Sequence, residues 1–271
     1  MSAKRPSLEA LLKLLNDEDD IARSAILQLL QHYSDEMENI LRQLQECDNE
    51  TMRKRSHQIQ ALITFKQRRE RLHNILLNKN NQFRMYDALT DLHLLWFEKD
   101  TSAKIETYYR KLLKDFPQAK TGKPFAVTDF LKRKQFIPQD DSTSNTDYCM
   151  IGNVFEHLSG TNAFLCALVT AIQEDLNLPH ELEIIQVDQR FCLYHRPTRM
   201  VCDITAHWQV HSLNFSGGKT FSKSELLRYI CALCFCNTVH DDAFRYVHIF
   251  SDILLPDHDS SILPYPYNGR K

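Results

Sequence analysis

The sequence predicts an α+β fold, and three observations carry that prediction. Apolar residues recur at helical spacing from Leu8 to Phe116. Three short runs rich in β-branched and aromatic residues, ELEIIQV, RFCLYH and RMVCDIT, then follow one another between residues 181 and 205. Only six glycines occur in 271 residues, which favours long helices with few tight turns and disfavours a Gly-rich phosphate-binding fold. Apolar content of 43%, charged content of 25% and a net charge of −2 describe a globular chain with no overall pull toward nucleic acid or membrane.

The opening MSAKRPSLEALLKLL has no sustained apolar region of the secretory type. No run approaches the ~18 consecutive apolar residues of a membrane span. Eight cysteines without a secretion signal point to reduced thiols in a cytoplasmic protein.

Leu8, Leu11, Leu12 and Leu15 form the first helical stripe, with Pro6 and Ser7 as its start. The acidic NDEDD suits the first turn of a second helix, whose face is Ile21, Ala22, Ala25, Ile26, Leu29 and Leu30. The scheme then repeats. LQECDNETMRKRSHQIQALI echoes LLNDEDDIARSAILQLLQ, with Arg53 at the place of Arg23 and Ile59 at that of Leu29. A leucine helix, an acidic turn and a helix with an early arginine resemble a short HEAT-like repeat. The alternative is a pair of ordinary helical hairpins.

Two further amphipathic helices are expected before Pro117, one bearing Tyr86, Leu89, Leu92, Leu94, Leu95 and Phe97, the other Ile105, Tyr108, Tyr109, Leu112, Leu113 and Phe116. QAKTGKP reads as a connector, and DFLKRKQFIPQDDSTSNTDY as a short helix followed by a polar surface loop. IGNVFEHLSG predicts a helix closing on Gly160. TNAFLCALVTAIQEDLNLP predicts a buried helix with Thr161 or Asn162 near its N-cap. After the three strands, FSGGKTF is a turn, and Ser222 with Glu225 makes a capping box for a helix over 222–236. The prolines of LPYPYNGRK make the end extended or irregular.

Within residues 130–230 the order of these segments resembles the SirB-type bacterial family, whose core belongs to the transglutaminase-like superfamily. Asp147, Tyr148, Ile151, Asn153, Val154, Phe155, Glu156 and Gly160 follow its lead-in, and Leu165, Ala167, Leu168, Ala171 and Leu176 its core helix. Arg190-Phe191 falls on its G-H-F strand, Asp203 on its I-D-P-F strand, and Gly217-Gly218 on its return into a helix. The resemblance implies a helical region 1–67 of HEAT-like repeats, a helical connector 68–122, and a transglutaminase-like domain 123–271 with a small antiparallel sheet, the helical region packing on the domain.

In catalytic members of that superfamily a cysteine at the core helix N-terminus is the nucleophile, a strand histidine its base and an aspartate the orienting group. Here the cysteine position is Asn162 and the histidine position Arg190, while Asp203 is retained. An amide is no nucleophile and a guanidinium no base at neutral pH. The resemblance therefore implies a degenerate site in which Asn162, Arg190 and Asp203 are neighbours with no thiol among them. Arg190 and Asp203 would form a salt bridge across two strands.

A displaced nucleophile would be Cys166, with His195 or His207 as base. Cys166, however, lies one turn inside the helix among Leu165, Leu168 and Val169, and His195 falls on the opposite face of the strand from Arg190. Cys231, Cys234 and Cys236 with His240 suggest metal, yet Cys231 and Cys234 join a stripe with Leu226, Leu227 and Ile230, and no second C-x-x-C follows. A Cys192–Cys202 disulfide would need those residues opposite each other, a register that puts Arg190 and Asp203 on different faces; the register that joins Arg190 to Asp203 is the one expected. The basic runs at 53–55, 66–73 and 132–134 are diluted by Asp48, Glu50 and Glu70 and lack an aromatic platform for bases. The expected function is a non-catalytic binding or regulatory protein, without cofactor or metal, whose protein partner engages the helical N-terminal region or the cleft. The alternatives are a thiol-dependent hydrolase or transferase and an inert helical-repeat scaffold.

Overall fold

The computed structural model describes residues 50–77, 82–117, 122–142, 145–178, 182–213, 219–240 and 244–255. The repeat expected over 1–67 lies outside these residues except for part of one helix, as do Gly217, Gly218 and the proline-rich end. The chain divides into two units, residues 1–67 and 68–271. The described elements are α1 (Glu50–Leu77), α2 (Met85–Trp96), α3 (Ser102–Lys114), α4 (Ala126–Arg133), β1 (Ile137–Gln139), α5 (Ile151–His157), β2 (Ser159–Thr161), α6 (Asn162–Asp175), β3 (Glu183–Val187), β4 (Arg190–His195), β5 (Met200–Asp203), β6 (Gln209–Ser212), β7 (Thr220–Phe221), α7 (Lys223–His240) and α8 (Phe244–Leu254). The fold is α+β with a small antiparallel sheet. No helix among the described residues is long and apolar enough to cross a membrane.

Helix α6 is central because it is apolar on every side. Each residue from Asn162 to Val169 is buried, as are Ala171 and Ile172. It packs on α2, α4, α7 and β4. Helix α2 is buried except at Asp87 and its last residue Trp96, and the carboxylate and imidazole inside it are satisfied: Asp91 accepts from Arg71 at 2.8 Å, and His93 lies 3.0 Å from Asp100. The C-terminal turn of α6 ends in Glu174 and Asp175, against the helix dipole. Lys223 holds the first carboxylate, while Arg84 and Tyr109 hold the second. The helices of 68–122 thus share one unit with the elements that follow them.

The sheet has the order β6-β5-β4-β3-β7, every pair antiparallel. Three of the five strands were legible; β6 and β7 are short, exposed edge strands, and β7 falls inside a segment read as a turn. A second correction concerns residues 137–139, expected in a surface loop. They form β1, which pairs in parallel with β2, Ile137 opposite Ser159 and Gln139 opposite Thr161. Helix α5 accordingly does not close on Gly160. It stops at Leu158, whose φ of 50° ends the helix, and Gly160 lies in β2.

The β3–β4 hairpin turns through Asp188 (φ 48°) and Gln189 (φ 65°), a two-residue turn with both centres left-handed. Glutamine is strained there. Gln189→Gly is expected to stabilise the protein by about 0.5–1 kcal/mol, read as a higher urea midpoint at unchanged slope.

Candidate functional site

Because β1 and β2 run parallel in register, both strands deliver the residues that follow them to the same end. After Gln139 come Asp140 and then Asp141; after Thr161 comes Asn162, the first residue of α6. Thr161 is the N-cap and accepts from the Phe164 N–H. The Ala163 N–H donates to Asp141 at 3.0 Å, and the Asn162 N–H also turns to that carboxylate. The N-terminus of the core helix is therefore closed by a carboxylate of its own chain.

Asn162 is buried. Its amide Nδ2 donates to the Phe191 carbonyl at 2.9 Å, while its Oδ1 has no hydrogen-bond partner among the described residues. Tyr229 of α7 packs its ring on Phe191 at 4.7 Å and lies near Asp141, and burial pushes its phenol up to about 12. Burial pushes the Asp141 carboxyl up to about 6, against the N–H groups that favour its ionised form.

That shift fixes a pH dependence. The folded value of Asp141 lies above the ordinary 3.8, so its contribution to stability is fully present below about 3.8 and is lost as pH rises through about 6. Asp141→Asn keeps an acceptor for the helix and carries no charge. It is expected to match wild type near pH 4 and to gain on it toward pH 7.5, measured by urea unfolding across about that range. A gap that stays constant with pH would show that Asp141 is not the titrating group.

Alternation along β4 sorts the other candidates. Phe191, Leu193 and His195 point to one face, where Phe191 meets Tyr229 and Phe221 and His195 meets Phe125. Arg190, Cys192 and Tyr194 point to the other, where Cys192 and Tyr194 cluster with Ile185 and Val201. Cys192 is directly opposite Asp203, so Asp203 shares the face of Arg190, and the two are 3.5 Å apart. Cys202 is opposite Leu193 and faces away from Cys192; both are free thiols.

Two expectations need correction. A thiol does lie among the site positions, since the register that joins Arg190 to Asp203 also sets Cys192 beside them. Asn162, in turn, bonds to the backbone of β4 and to neither Arg190 nor Asp203. Nor is the ion pair the main use of Asp203. Its Oδ1 accepts from Thr205 Oγ1 at 2.6 Å and from the Ala206 N–H at 3.1 Å, capping the turn into β6. That turn runs through His207 and Trp208, both at positive φ, and is fixed by the Trp208 indole N–H donating to the Phe136 carbonyl.

Arg190 is half exposed, so its pairing with Asp203 is screened. Asp203→Ala is expected to cost about 2 kcal/mol through the uncapped turn, Arg190→Ala under about 1, with a coupling below about 1 between them. Equal losses from the two changes would make the pair the dominant interaction after all. Urea unfolding of both single variants and the double variant measures this.

Cys166 is fully buried and burial raises its pKa; Cys192, Cys202 and Cys231 are pushed up to about 12 by the same cause. His195 is buried and its Nδ1 pairs with Thr198 Oγ1 at 2.8 Å, while His207 is exposed in the turn. Cys231 and Cys234 are buried in α7, and Cys236 is exposed. Among the described residues no three of His, Cys, Asp and Glu are grouped as a metal ion would need. Asp141, Tyr229 and Trp208 escaped the sequence reading. Only the adjacent acids at 140–141 hinted at a helix cap, and nothing local linked them to position 162.

No protein-family model matches the chain, and neither a curated protein nor a solved structure matches it significantly.

Proposed function

We propose that the protein is a non-catalytic, protein-binding module built on a degenerate transglutaminase-like scaffold. One observation carries this reading. The helix N-terminus, where a thiol nucleophile and a developing oxyanion would need free N–H groups, holds an amide side chain, and its N–H groups are taken by Asp141. The same carboxylate would disfavour a thiolate placed there. The Arg190–Asp203 pair keeps a charged group at the base position without a proton to exchange at neutral pH.

The test has two arms. Iodoacetamide at mildly acidic pH should label Cys166, Cys192, Cys202, Cys231 and Cys234 of the folded protein slowly; rapid selective labelling of one of them would restore an enzymatic reading. Affinity capture from the source cells, with the intact chain and with a form lacking residues 1–67, should retain a stoichiometric protein partner on the intact chain. Absence of any partner from the intact chain would overturn the binding reading.

A further inference from the structure

Residues 110–134 carry eight lysines and arginines and two aspartates, a net charge of +6 in a chain whose total is −2. The rest of the sequence is therefore acidic, at −8. The fold gathers the basic segment instead of spreading it. The rings of Phe116 and Phe130 meet edge to face at 5.3 Å and bring the C-terminal ends of α3 and α4 together. Lys134, just past α4, then reaches Asp115, just past α3, with Nζ 2.6 Å from the carboxylate. Lys134 first, then Lys111 and Lys114, hold the Asp115 carboxyl below its ordinary value. One carboxylate thus sits among three lysines. Lys111, Lys114, Lys132 and Arg133 stand exposed on the two helix ends.

A cation at the negative end of a helix is ordinary. Lys123 is not of that kind. It lies exposed just before the positive end of α4, where the dipole opposes it. Its connector, QAKTGKP, contains a second lysine and no acid. Helix stability therefore does not account for the whole basic surface.

Side-chain chemistry decides which anion fits. Among the described residues of 110–134 no large apolar side chain is exposed, and Phe116, Phe125, Phe130 and Leu131 are buried, so the surface offers nothing for insertion into lipid. Each arginine has its Nε committed, Arg110 to Glu106 at 2.5 Å and Arg133 to the Asp129 carbonyl at 3.1 Å. The remaining cations are lysines, point charges without the planar fork that clamps a phosphate at two points. Asp115 shows what these lysines do hold, a side-chain carboxylate.

We propose that the joined C-terminal ends of α3 and α4 are a docking surface for an acidic protein segment, whose Asp and Glu side chains pair with Lys111, Lys114 and Lys132. Such docking rests on the protein-binding reading and adds the partner's chemistry to it. A captured partner held equally well by wild type and by Lys111→Gln/Lys114→Gln would keep that reading and overturn this one.

The experiment follows the fluorescence anisotropy of a labelled peptide of alternating Glu and Ser, titrated with the intact protein. A length of about twelve residues spans about 40 Å when extended, enough to cross both helix ends. Saturable binding is expected at about 50 mM salt, with about a tenfold loss of affinity at about 200 mM as exposed charges are screened. The same peptide with Gln for Glu should bind at least about tenfold more weakly. Two variants locate the surface, and both change only exposed side chains. Lys111→Gln/Lys114→Gln should weaken binding about tenfold, whereas Asp115→Asn, which removes the built-in competitor, should tighten it several-fold. Lysines that served only the helix ends would give no such gain from Asp115→Asn. A thymidylate strand of equal charge and phosphatidylserine vesicles are titrated in parallel. Failure of the Glu peptide to saturate, equal binding of the Gln peptide, tighter binding of the strand or the vesicles, or no gain in Asp115→Asn would each overturn the proposal.

Discussion

Tyr109→Ala is expected to lower stability by about 4 kcal/mol, the largest loss anticipated for a single change away from the backbone. Tyr109 is among the largest fully buried side chains. Its ring stacks on Tyr86 at 4.0 Å and lies 6.2 Å from Phe155, and its hydroxyl donates to Asp175 at 2.8 Å. One side chain thereby ties α3 to α2, α5 and the end of α6. Removing it leaves a cavity between four helices that cannot collapse independently, and takes one donor from a carboxylate at the unfavourable end of the helix dipole. Tyr109→Phe separates the two contributions. It keeps the ring and should cost only about 1 kcal/mol, because Arg84 still holds Asp175 at 2.8 Å. Urea unfolding of both variants checks this; equal losses would place the whole effect in the hydroxyl.

Gly152→Ala is the second large effect, on the order of 3 kcal/mol, from adding a single methyl group. A Cβ at residue 152 would lie 2.5 Å from Cε1 and 2.8 Å from Nε2 of His93. The imidazole cannot step aside. It is fully buried, its Nδ1 accepts the Gly152 N–H at 3.4 Å, and its Nε2 then donates to Asp100 at 3.0 Å. Relief must come from moving α5 away from α2. In the double variant with His93→Ala the added methyl has room, so the combined loss should fall clearly short of the sum of the two single losses. Additive losses would show that the ring is not what excludes a side chain at 152.

Several elements were legible because their causes are local. The stripe Leu89, Leu92 and Leu95 fixes α2, and the unbroken apolar run after Thr161 fixes α6 as the central helix. The Ser222–Glu225 capping box forms as read, the Glu225 carboxylate accepting from the Ser222 N–H at 2.9 Å. The three β-rich runs became β3, β4 and β5. Even the β4–β5 register could be framed in advance, because side chains alternate with a period of two and only one parity lets Arg190 share a face with Asp203.

What the sequence could not decide was which distant segments meet. Ile137–Gln139 has too few residues to show a strand pattern, and it becomes one only because β2 lies beside it. That pairing, across about twenty residues of chain, brings Asp141 to the N-terminus of α6 and changes the meaning of the site: position 162 was readable as an amide, but not that a carboxylate had already occupied the helix end behind it. Likewise Asp203 was readable as a partner of Arg190, while its stronger contacts with Thr205 and Ala206 needed the backbone of the turn. By itself the sequence determined the elements, since helical and strand periodicity act over a few neighbouring residues. Only the tertiary structure decided which carboxylate meets which N–H group, because a hydrogen bond depends on positions within fractions of an ångström that long-range strand pairing and helix packing set together.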